Sequence, residues 1–382
     1  MKILFVTDGL FPFQIGGMQK HSAILISQLA AYPEVSLTVI HPQLADQTSK
    51  EIATYFGNNP RLDFRSVPFT DNGHLPGHYV RANQNYSRDA YAVVADSVSQ
   101  FEVIYAQGFT GRSFIEARLQ KMIKVPVIVN LHGFEMYQPA TDLKHKIAYT
   151  WLKKEASFNL LNADYVYSFG GKLTKLLAEI GVDTAKILEQ SNGIDDSWLK
   201  ESPSKNNVIR TFVFIGRNER RKGLKELHES IQQLLKDGTK FHFHFIGDIG
   251  EREKLKHSNL TYHGSVKDVE RIKTILDQSD CLVVPSYSEG MPTVMLEAMS
   301  RGLAIIGTNV GAVSRMIDGN GLLLEKPKVD LITEALRMMM QLSPDQLSLF
   351  KVRSLERVRA TFRWSEIASR KYDDFKKITG RS

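Results

Sequence analysis

A cluster of cations follows a short apolar run in the second half of the chain. Residues 211–215 (TFVFI) lead into Gly216, and Arg217 and Lys222 then flank a polar loop before a helical pattern begins near Gly223. A helix N-terminus offers unpaired N–H groups and partial positive charge, while arginine adds a bidentate donor and lysine a point charge. This combination suits a diphosphate. A solvated basic turn has the same composition, so both interpretations stay open at this point.

A second segment of interest is 285–298, with the sequence PSYSEGMPTVMLEA. It follows the apolar run 281–284, and Pro292 predicts a first helical turn there. Glu289 lies in the loop before this helix and Glu297 lies within it, among apolar neighbours. Two carboxylates could each accept hydrogen bonds from sugar hydroxyls. The simpler alternatives are a helix N-terminal acid for Glu289 and a helix-surface acid for Glu297.

These segments lie in a repeating order of apolar runs and helical patterns. Many of the runs lack a clean alternation, as strands buried on both faces do, and helical patterns such as 19–30 and 224–236 follow most of them. The order predicts an α/β fold with doubly wound parallel sheets. The polar segment 201–207 is the predicted linker, and residues 70–88 read as a long loop, either a solvated insertion or part of an acceptor site. The predicted strands are 2–7, 36–41, 103–106, 126–131, 165–169, 211–215, 241–246, 281–284 and 304–307.

The two motifs together resemble the retaining GT-B glycosyltransferases of family 4, the glycosyl transferases group 1 type. The resemblance rests on Arg217 with Lys222 five residues later and on Glu289 with Glu297 after seven intervening residues. It runs from about residue 2 to residue 372. Further matches are Gly16, Gly17, the segment 192–195 (NGID), Gly302, Gly311 and the segment 319–321 (GNG).

The resemblance implies two Rossmann-like domains that face each other across a cleft. An acceptor-binding domain would comprise residues 1–195 with a C-terminal helix, 363–382, crossing back to it, and residues 196–362 would bind the nucleotide sugar. It implies that Arg217 and Lys222 hold the diphosphate, that Glu289 binds the donor sugar and that His132, at a strand end, faces that sugar. Glu297 would bind the ribose. The other implied donor-binding residues are Gly16, Gly17, Gly216, Gly290, Met291, Pro292 and Thr293.

The function that the resemblance implies is transfer of a hexose-type sugar from a nucleoside diphosphate to a hydroxyl of a glycan or glycolipid, with retained anomeric configuration, in bacterial surface polysaccharide or glycoconjugate biosynthesis. A nucleotide-sugar 2-epimerase-like GT-B enzyme and a non-catalytic nucleotide-sugar-binding subunit are the alternatives. The chain departs from the family at Arg315, where many members carry an acid, and at Asn218. These departures put the local geometry or the donor choice in question.

We expect no metal and no cofactor. The chain lacks an Asp-x-Asp pair of the kind that chelates a divalent ion on a diphosphate, and arginine with lysine can replace the ion. His242 and His244 share one face of a predicted strand, but without a third ligand at metal spacing a structural role is favoured.

Charge and composition limit the location and the partners. The single cysteine, Cys281, indicates a reducing compartment, and the N-terminal residues read as a strand rather than a signal peptide, so we expect a cytoplasmic protein. The net charge of +7 arises entirely after residue 200, and residues 345–382 contain ten Lys and Arg against five Asp and Glu. We interpret that region as the crossing helix, with contact at the inner face of a membrane as an addition. Nucleic-acid binding is disfavoured because the basic residues are not interleaved with stacking aromatics.

Overall fold

The computed structural model describes residues 1–14, 16–43, 48–71, 73, 77–137 and 143–381, without the side chains of residues 144 and 145. Its internal contacts divide the chain into two units. Unit 1 comprises Met1–Gln190 and Trp364–Ser382, and unit 2 comprises Ser191–Arg363. The division therefore falls five residues before the boundary at 195 expected from the sequence.

Unit 1 is built on a seven-stranded sheet in the order β3-β2-β1-β4-β5-β6-β7, and every pair of neighbours is parallel. The central strands are buried on both faces, which accounts for their continuous apolar sequences. The strands are β1 Lys2–Val6, β2 Ser36–Pro42, β3 Leu62–Val67, β4 Val103–Gln107, β5 Val127–Asn130, β6 Tyr165–Ser168 and β7 Ile187–Glu189. The helices are α1 Gly17–Leu29, α2 Ser49–Tyr55, α3 His78–Val94, α4 Arg112–Leu119, α5 Leu143–Asn162 and α6 Lys172–Ile180. Single 3₁₀ segments are Ala95–Gln100, Glu135–Tyr137 and Thr184–Lys186.

Unit 2 is built on a six-stranded parallel sheet in the order β10-β9-β8-β11-β12-β13. Its core contains the phenylalanines of β8 and β9 packed against α7 and α11. The strands are β8 Thr211–Ile215, β9 His242–Ile246, β10 Leu260–Tyr262, β11 Cys281–Val284, β12 Ala304–Thr308 and β13 Gly321–Leu324. The helices are α7 Leu224–Lys236, α8 Val269–Asp277, α9 Thr293–Ser300, α10 Val313–Met316, α11 Val329–Gln341 and α12 Pro344–Thr361. Single 3₁₀ turns are Asp196–Trp198 and Arg220–Lys222.

The last helix, α13 (Trp364–Thr379), returns to unit 1. Its apolar face is buried in the unit 1 core, where the Phe375 ring lies 5.9 Å from the ring of Tyr105 on β4. The same helix places the buried ammonium of Lys371 3.4 Å from the ring centroid of Tyr167. The predicted C-terminal helix that joins the N-terminal domain is therefore confirmed.

Two local predictions are wrong. The segment 201–207 is not the linker, because it is held within unit 2: Asn206 donates to the carbonyl of Pro344, and Gly302 packs on Pro203. Much of the predicted loop 70–88 is helix α3, while residues 72 and 74–76 lie outside the described residues. Pro292, expected at the start of a helix, is the N-cap of α9, whose first residue is Thr293.

Within the described part of the chain, no helix combines the length and the apolar character needed to cross a bilayer.

Candidate active site

Two loops of unit 2 leave adjacent strands at the point where the strand order reverses. The sheet order places β8 beside β11, with β9 and β12 extending it in opposite directions. The first loop runs from Gly216 to Gly223 after β8, and the second runs from Pro285 to Pro292 after β11. In open parallel sheets, ligands bind outside the carboxyl ends of strands at such a switch point.

The two loops touch through their backbones. The Tyr287 N–H donates to the carbonyl of Arg221 at 2.7 Å. Gly223 has a φ of +69°, and a Cβ built on it would lie 1.8 Å from the carbonyl oxygen of Pro285. Because a side chain at this position would collide with fixed backbone, glycine is needed for the approach. The contact fixes how Lys222 and Glu289 stand relative to each other.

Lys222 and Glu289 form an ion pair at this junction. The Lys222 Nζ lies 2.7 Å from Glu289 Oε1, and their side chains are 15% and 6% exposed. Ser286 Oγ donates to the same oxygen at 2.7 Å, whereas Arg221 Nη1 lies 3.6 Å from Oε2. Since the pair is largely withdrawn from water, its charges interact more strongly than those of a surface salt bridge.

The pair leaves binding capacity on both partners. An ammonium has three N–H donors, and Glu289 uses one of them. Among the described residues, Lys222 and Ser286 donate hydrogen bonds to Oε1 of Glu289. Oε2 of Glu289 can therefore accept a hydrogen bond from a hydroxyl of a ligand. The geometry therefore places a hydrogen-bond donor for an anion, Lys222, beside a hydrogen-bond acceptor for hydroxyls, Glu289.

Arg217 is placed differently from Lys222. Its side chain is 77% exposed, and its Nε lies 2.9 Å from Glu219 Oε1. Glu219 also receives Arg221 Nε at 2.7 Å. The structure thus brings Lys222 and Glu289 together but leaves Arg217 at the rim, where its side chain is exposed and pairs with the half-buried Glu219.

A second network joins the same loops on the other side. Arg220 makes a bidentate ion pair with Glu226 in the first turn of α7, with distances of 2.8 and 2.6 Å. The Tyr287 hydroxyl donates to Glu226 at 2.8 Å, and the Arg220 guanidinium lies 4.5 Å from the Tyr287 ring centroid. Because these bonds run between the two loops, they stabilise the position of Lys222 and Glu289.

The remaining predicted donor residues of unit 2 lie in the two loops and in α9. Gly290 accepts a hydrogen bond from the Ala312 N–H at 2.9 Å, and Gly311, with a φ of +54°, approaches the Glu289 carbonyl so closely that a Cβ would lie 2.2 Å from it. The Asn192 N–H donates to the Met291 sulfur at 3.0 Å. Gly216 is positioned by the hydrogen bond that its N–H donates to the Ile246 carbonyl. Thr293 is the first residue of α9, and Glu297 is half-buried one turn further along that helix.

The predicted residues of unit 1 lie at the corresponding end of its own sheet. Gly16 is the N-cap of α1 and Gly17 its first residue. Among the described residues other than its chain neighbours, no atom would lie within 4 Å of a Cβ on Gly17. These positions follow β1, which lies beside β4 where the order of the first sheet reverses.

His132 follows β5 and lines a cavity of about 510 Å³ within unit 1. Its Nε2 lies 3.0 Å from Gln107 Oε1, and Gln107 Nε2 in turn lies 3.2 Å from Ser22 Oγ. Asn130 Nδ2, which can only donate, lies 3.3 Å from the same Nε2, so the contacts with Gln107 and Asn130 favour opposite tautomers of the ring.

Burial, with a smaller effect from the Lys371 charge, lowers the pKa of His132 from 6.5 to about 3. We therefore expect the His132 ring to stay neutral from pH 8 to pH 5, as monitored by ¹⁵N NMR of the ring. Since the pKa is lower in the folded chain than in the unfolded chain, this group favours the folded state fully above pH 6.5 and progressively less as the pH falls toward 3. Gln107→Glu should raise the pKa, because a carboxylate stabilises the imidazolium. Titration of wild-type His132 between pH 6 and 7 would contradict the assignment.

Comparison with known proteins assigns the fold. Residues 209–341 match the family model for glycosyl transferases group 1. A protein of Bacillus subtilis named as a teichuronic acid biosynthesis glycosyltransferase is 39% identical over 119 residues, which are 31% of this chain and 30% of that protein. An N,N'-diacetylbacillosaminyl-diphospho-undecaprenol alpha-1,3-N-acetylgalactosaminyltransferase of Campylobacter jejuni is 28% identical over 190 residues, which are 46% of this chain and 48% of that protein. The chain thus spans about a third to a half of the length of these relatives.

Similarity to a solved structure extends over the whole chain. Sucrose-phosphate synthase from Thermosynechococcus elongatus matches with a TM-score of 0.76 at 16% identity, covering 100% of both chains. The chain has the GT-B glycosyltransferase fold. The GT-B fold predicted from the sequence is therefore confirmed, and the family-model match covers both loops of the candidate site.

Within this GT-B fold, sequence reasoning missed Arg221, Ser286 and Glu219. Arg221 precedes Lys222 in a run of three cations, and Ser286 stands three residues before Glu289. These were the available signals. The departure at Arg315 falls in α10, and Arg315 lines a depression together with Asp318 and Arg357.

The histidines considered as metal ligands lie elsewhere in the GT-B chain. His244 Nδ1 is 3.1 Å from His263 Nε2, and burial lowers the pKa of His244 to about 4. Among the residues that the structure describes, no three His, Cys, Asp or Glu side chains are grouped so that they could hold a metal ion.

Proposed function

We propose that the chain transfers a sugar from a nucleoside diphosphate to a hydroxyl of a lipid-linked glycan in surface polysaccharide or glycoconjugate biosynthesis. The observation that carries the proposal is the Lys222–Glu289 pair at the switch point of the second sheet, where a cation for phosphate and an acceptor for sugar hydroxyls are 2.7 Å apart. The relatives support it, since one is named for teichuronic acid biosynthesis and another for transfer to a diphospho-undecaprenol acceptor.

We further propose that the transfer retains the anomeric configuration. The acceptor oxygen would attack the anomeric carbon on the face from which the diphosphate leaves. The bond from that carbon to the phosphate oxygen breaks, and the departing oxygen takes the acceptor proton. Lys222 would stabilise charge on the leaving group, Arg217 would close on it from the rim, and Glu289 Oε2 would hold the sugar.

In this mechanism side chains neutralise the leaving diphosphate. We therefore predict that transfer activity persists after exhaustive chelation with EDTA, because Lys222 and its neighbouring arginines supply the positive charge. The measurement is the rate before and after chelation, with a control in which manganese or magnesium is added back. Loss of activity that either ion restores would contradict the prediction.

The proposed function is tested by a donor screen. Calorimetry with UDP, GDP, ADP and dTDP should identify one base, and the radiolabelled sugars of that nucleotide should then show hydrolysis and transfer to a lipid-linked acceptor. Failure of all four nucleotides to bind the folded protein would exclude the function.

The lipid-linked acceptor also bears on location. Such a substrate is confined to a membrane, so the proposed function places the working enzyme at the cytoplasmic face, next to its nucleotide donor.

A further inference from the structure

Glu219 links two arginines of the first loop of unit 2. Its Oε1 lies 2.9 Å from Arg217 Nε, and its Oε2 lies 2.7 Å from Arg221 Nε. One carboxylate therefore contacts two guanidinium groups, each through a different oxygen. Guanidinium groups bind carboxylate and phosphate oxygens in the same manner. The position of the Glu219 carboxylate is therefore one that a phosphate group can also occupy.

The backbone holds Glu219 beside these arginines. Glu219 is the N-cap of the 3₁₀ turn Arg220–Lys222. Its N–H donates to the Arg217 carbonyl at 2.8 Å, and its own carbonyl accepts from the Lys222 N–H at 2.9 Å. Because the carboxylate is attached to this turn, it competes with any anion that approaches the two guanidinium groups.

Arg221 connects this carboxylate with the Lys222–Glu289 pair. Its Nη1 lies 3.6 Å from Glu289 Oε2, and its side chain is 35% exposed, less than half the exposed fraction of Arg217. Three cations and two carboxylates therefore alternate along the two loops, with Glu219 and Glu289 between the cations. A diphosphate has two charged groups, so two neighbouring anion positions match it.

The remaining cation of the loop, Arg220, is engaged elsewhere. Its guanidinium makes the bidentate ion pair with Glu226 and lies 3.0 Å from the Tyr287 hydroxyl. Arg217 and Arg221, by contrast, share the single negative charge of Glu219. A phosphate of a diphosphate brings more negative charge to these two arginines than a carboxylate does, so the exchange is favourable.

We infer that Arg217 and Arg221 together bind one phosphate of the donor diphosphate, at the position that the Glu219 carboxylate occupies, while Lys222 binds the other phosphate. Glu219 is thus a competitor within the loop. It lowers the affinity for the diphosphate, and it pairs with the arginines again when the product nucleotide leaves. This inference rests on the proposed function, because its anion is the diphosphate of the donor.

The test is Glu219→Gln, which keeps the size of the side chain and removes its charge. Calorimetry should show that this variant binds inorganic pyrophosphate, and the nucleotide among UDP, GDP, ADP and dTDP that the wild type binds, about fivefold more tightly. This is the scale of two exposed ion pairs that no longer compete. Arg221→Ala should weaken the same binding about tenfold, the scale of a lost hydrogen bond to a charged group.

Glu229→Gln is the matched control, because Glu229 is an exposed glutamate that pairs with Lys225 on the surface of α7. This control should bind pyrophosphate like the wild type. In a background that carries Arg217→Ala and Arg221→Ala, Glu219→Gln should gain less than twofold, since Glu219 then has neither arginine to release. Thermal unfolding verifies that each variant is folded.

Unchanged or weaker binding of pyrophosphate and nucleotide by folded Glu219→Gln would overturn the inference. An equal gain in Glu229→Gln, or in the background without the two arginines, would also overturn it, because the effect would then be one of overall charge.

The two ligands keep the inference and the proposed function distinct. If a nucleoside diphosphate binds the wild type but Glu219→Gln gains nothing, the inference is wrong and the transferase function stands. If no nucleotide binds but Glu219→Gln binds pyrophosphate more tightly than the wild type, the function is wrong and the anion position between the arginines stands. If neither ligand binds any folded variant, both are wrong.

Discussion

Lys222→Ala should lower turnover by roughly 10²–10³-fold at saturating donor, the scale of a lost charge-stabilising donor in an active site. Lys222 is largely buried, is held 2.7 Å from Glu289 and keeps donors for a phosphate, so its charge acts at a fixed place in low dielectric. Arg217→Ala should lower turnover less, because Arg217 is exposed and must first leave Glu219. Steady-state rates on the purified variants measure both effects.

The control for Lys222→Ala is Lys225→Ala. Lys225 lies three residues later, is exposed and faces Glu229 on the surface of α7, so its loss should leave the rate unchanged. Thermal unfolding of each sample separates a folding defect from a catalytic one. A wild-type rate for Lys222→Ala in a folded sample would remove Lys222 from the mechanism.

Glu289→Gln should lower kcat by about 10- to 100-fold, the range expected when a hydrogen bond to a charged group is lost. The amide keeps the size of the side chain but removes its negative charge and replaces one acceptor oxygen with a donor. Ser286 and Lys222 can still use the remaining oxygen, so the sugar contact at the position of Oε2 is the one lost. Affinity for the free nucleoside diphosphate should not fall, because the variant removes a negative charge beside the phosphate site.

Glu297→Gln should have the opposite signature. Glu297 lies within α9 and is predicted to bind the ribose, which does not react, so its loss should weaken binding of the free nucleotide and raise KM more than it lowers kcat. Calorimetry with the nucleotide alone, beside steady-state kinetics, compares the two variants. Weaker nucleotide binding by Glu289→Gln with normal binding by Glu297→Gln would mean that the two roles are reversed.

All nine strands predicted from the sequence occur in the fold, and the four that were missed are the four sheet edges, β3, β7, β10 and β13. A central strand is covered on both faces and therefore reads as a continuous apolar run. An edge strand is less covered: β3 contains Asp63 and Arg65, and β7 has three residues. β3 and β7 therefore lack the continuous apolar run on which the strand prediction depends.

The site was predictable as two loops but not as a set of contacts. Glycine, cations and carboxylates at family spacing located Lys222 and Glu289. Their pairing joins residues 67 positions apart and depends on how closely Gly223 approaches Pro285, which no local pattern encodes. The exposed position of Arg217 could not be predicted from the sequence either, because it depends on the ion pair that Arg217 forms with Glu219.

The return of α13 to unit 1 sets an order for synthesis on the ribosome. The core of unit 1 includes Trp364, Ile367 and Phe375, which are translated after all of unit 2. At about 5–20 residues per second, the roughly 170 intervening residues take on the order of 10 to 35 s. During that time the nascent first unit presents the apolar surface that α13 will cover, and unit 2 is complete before unit 1. We therefore expect unit 2 to finish folding before unit 1. Until α13 has been synthesised, the exposed apolar surface of unit 1 should be bound by chaperones.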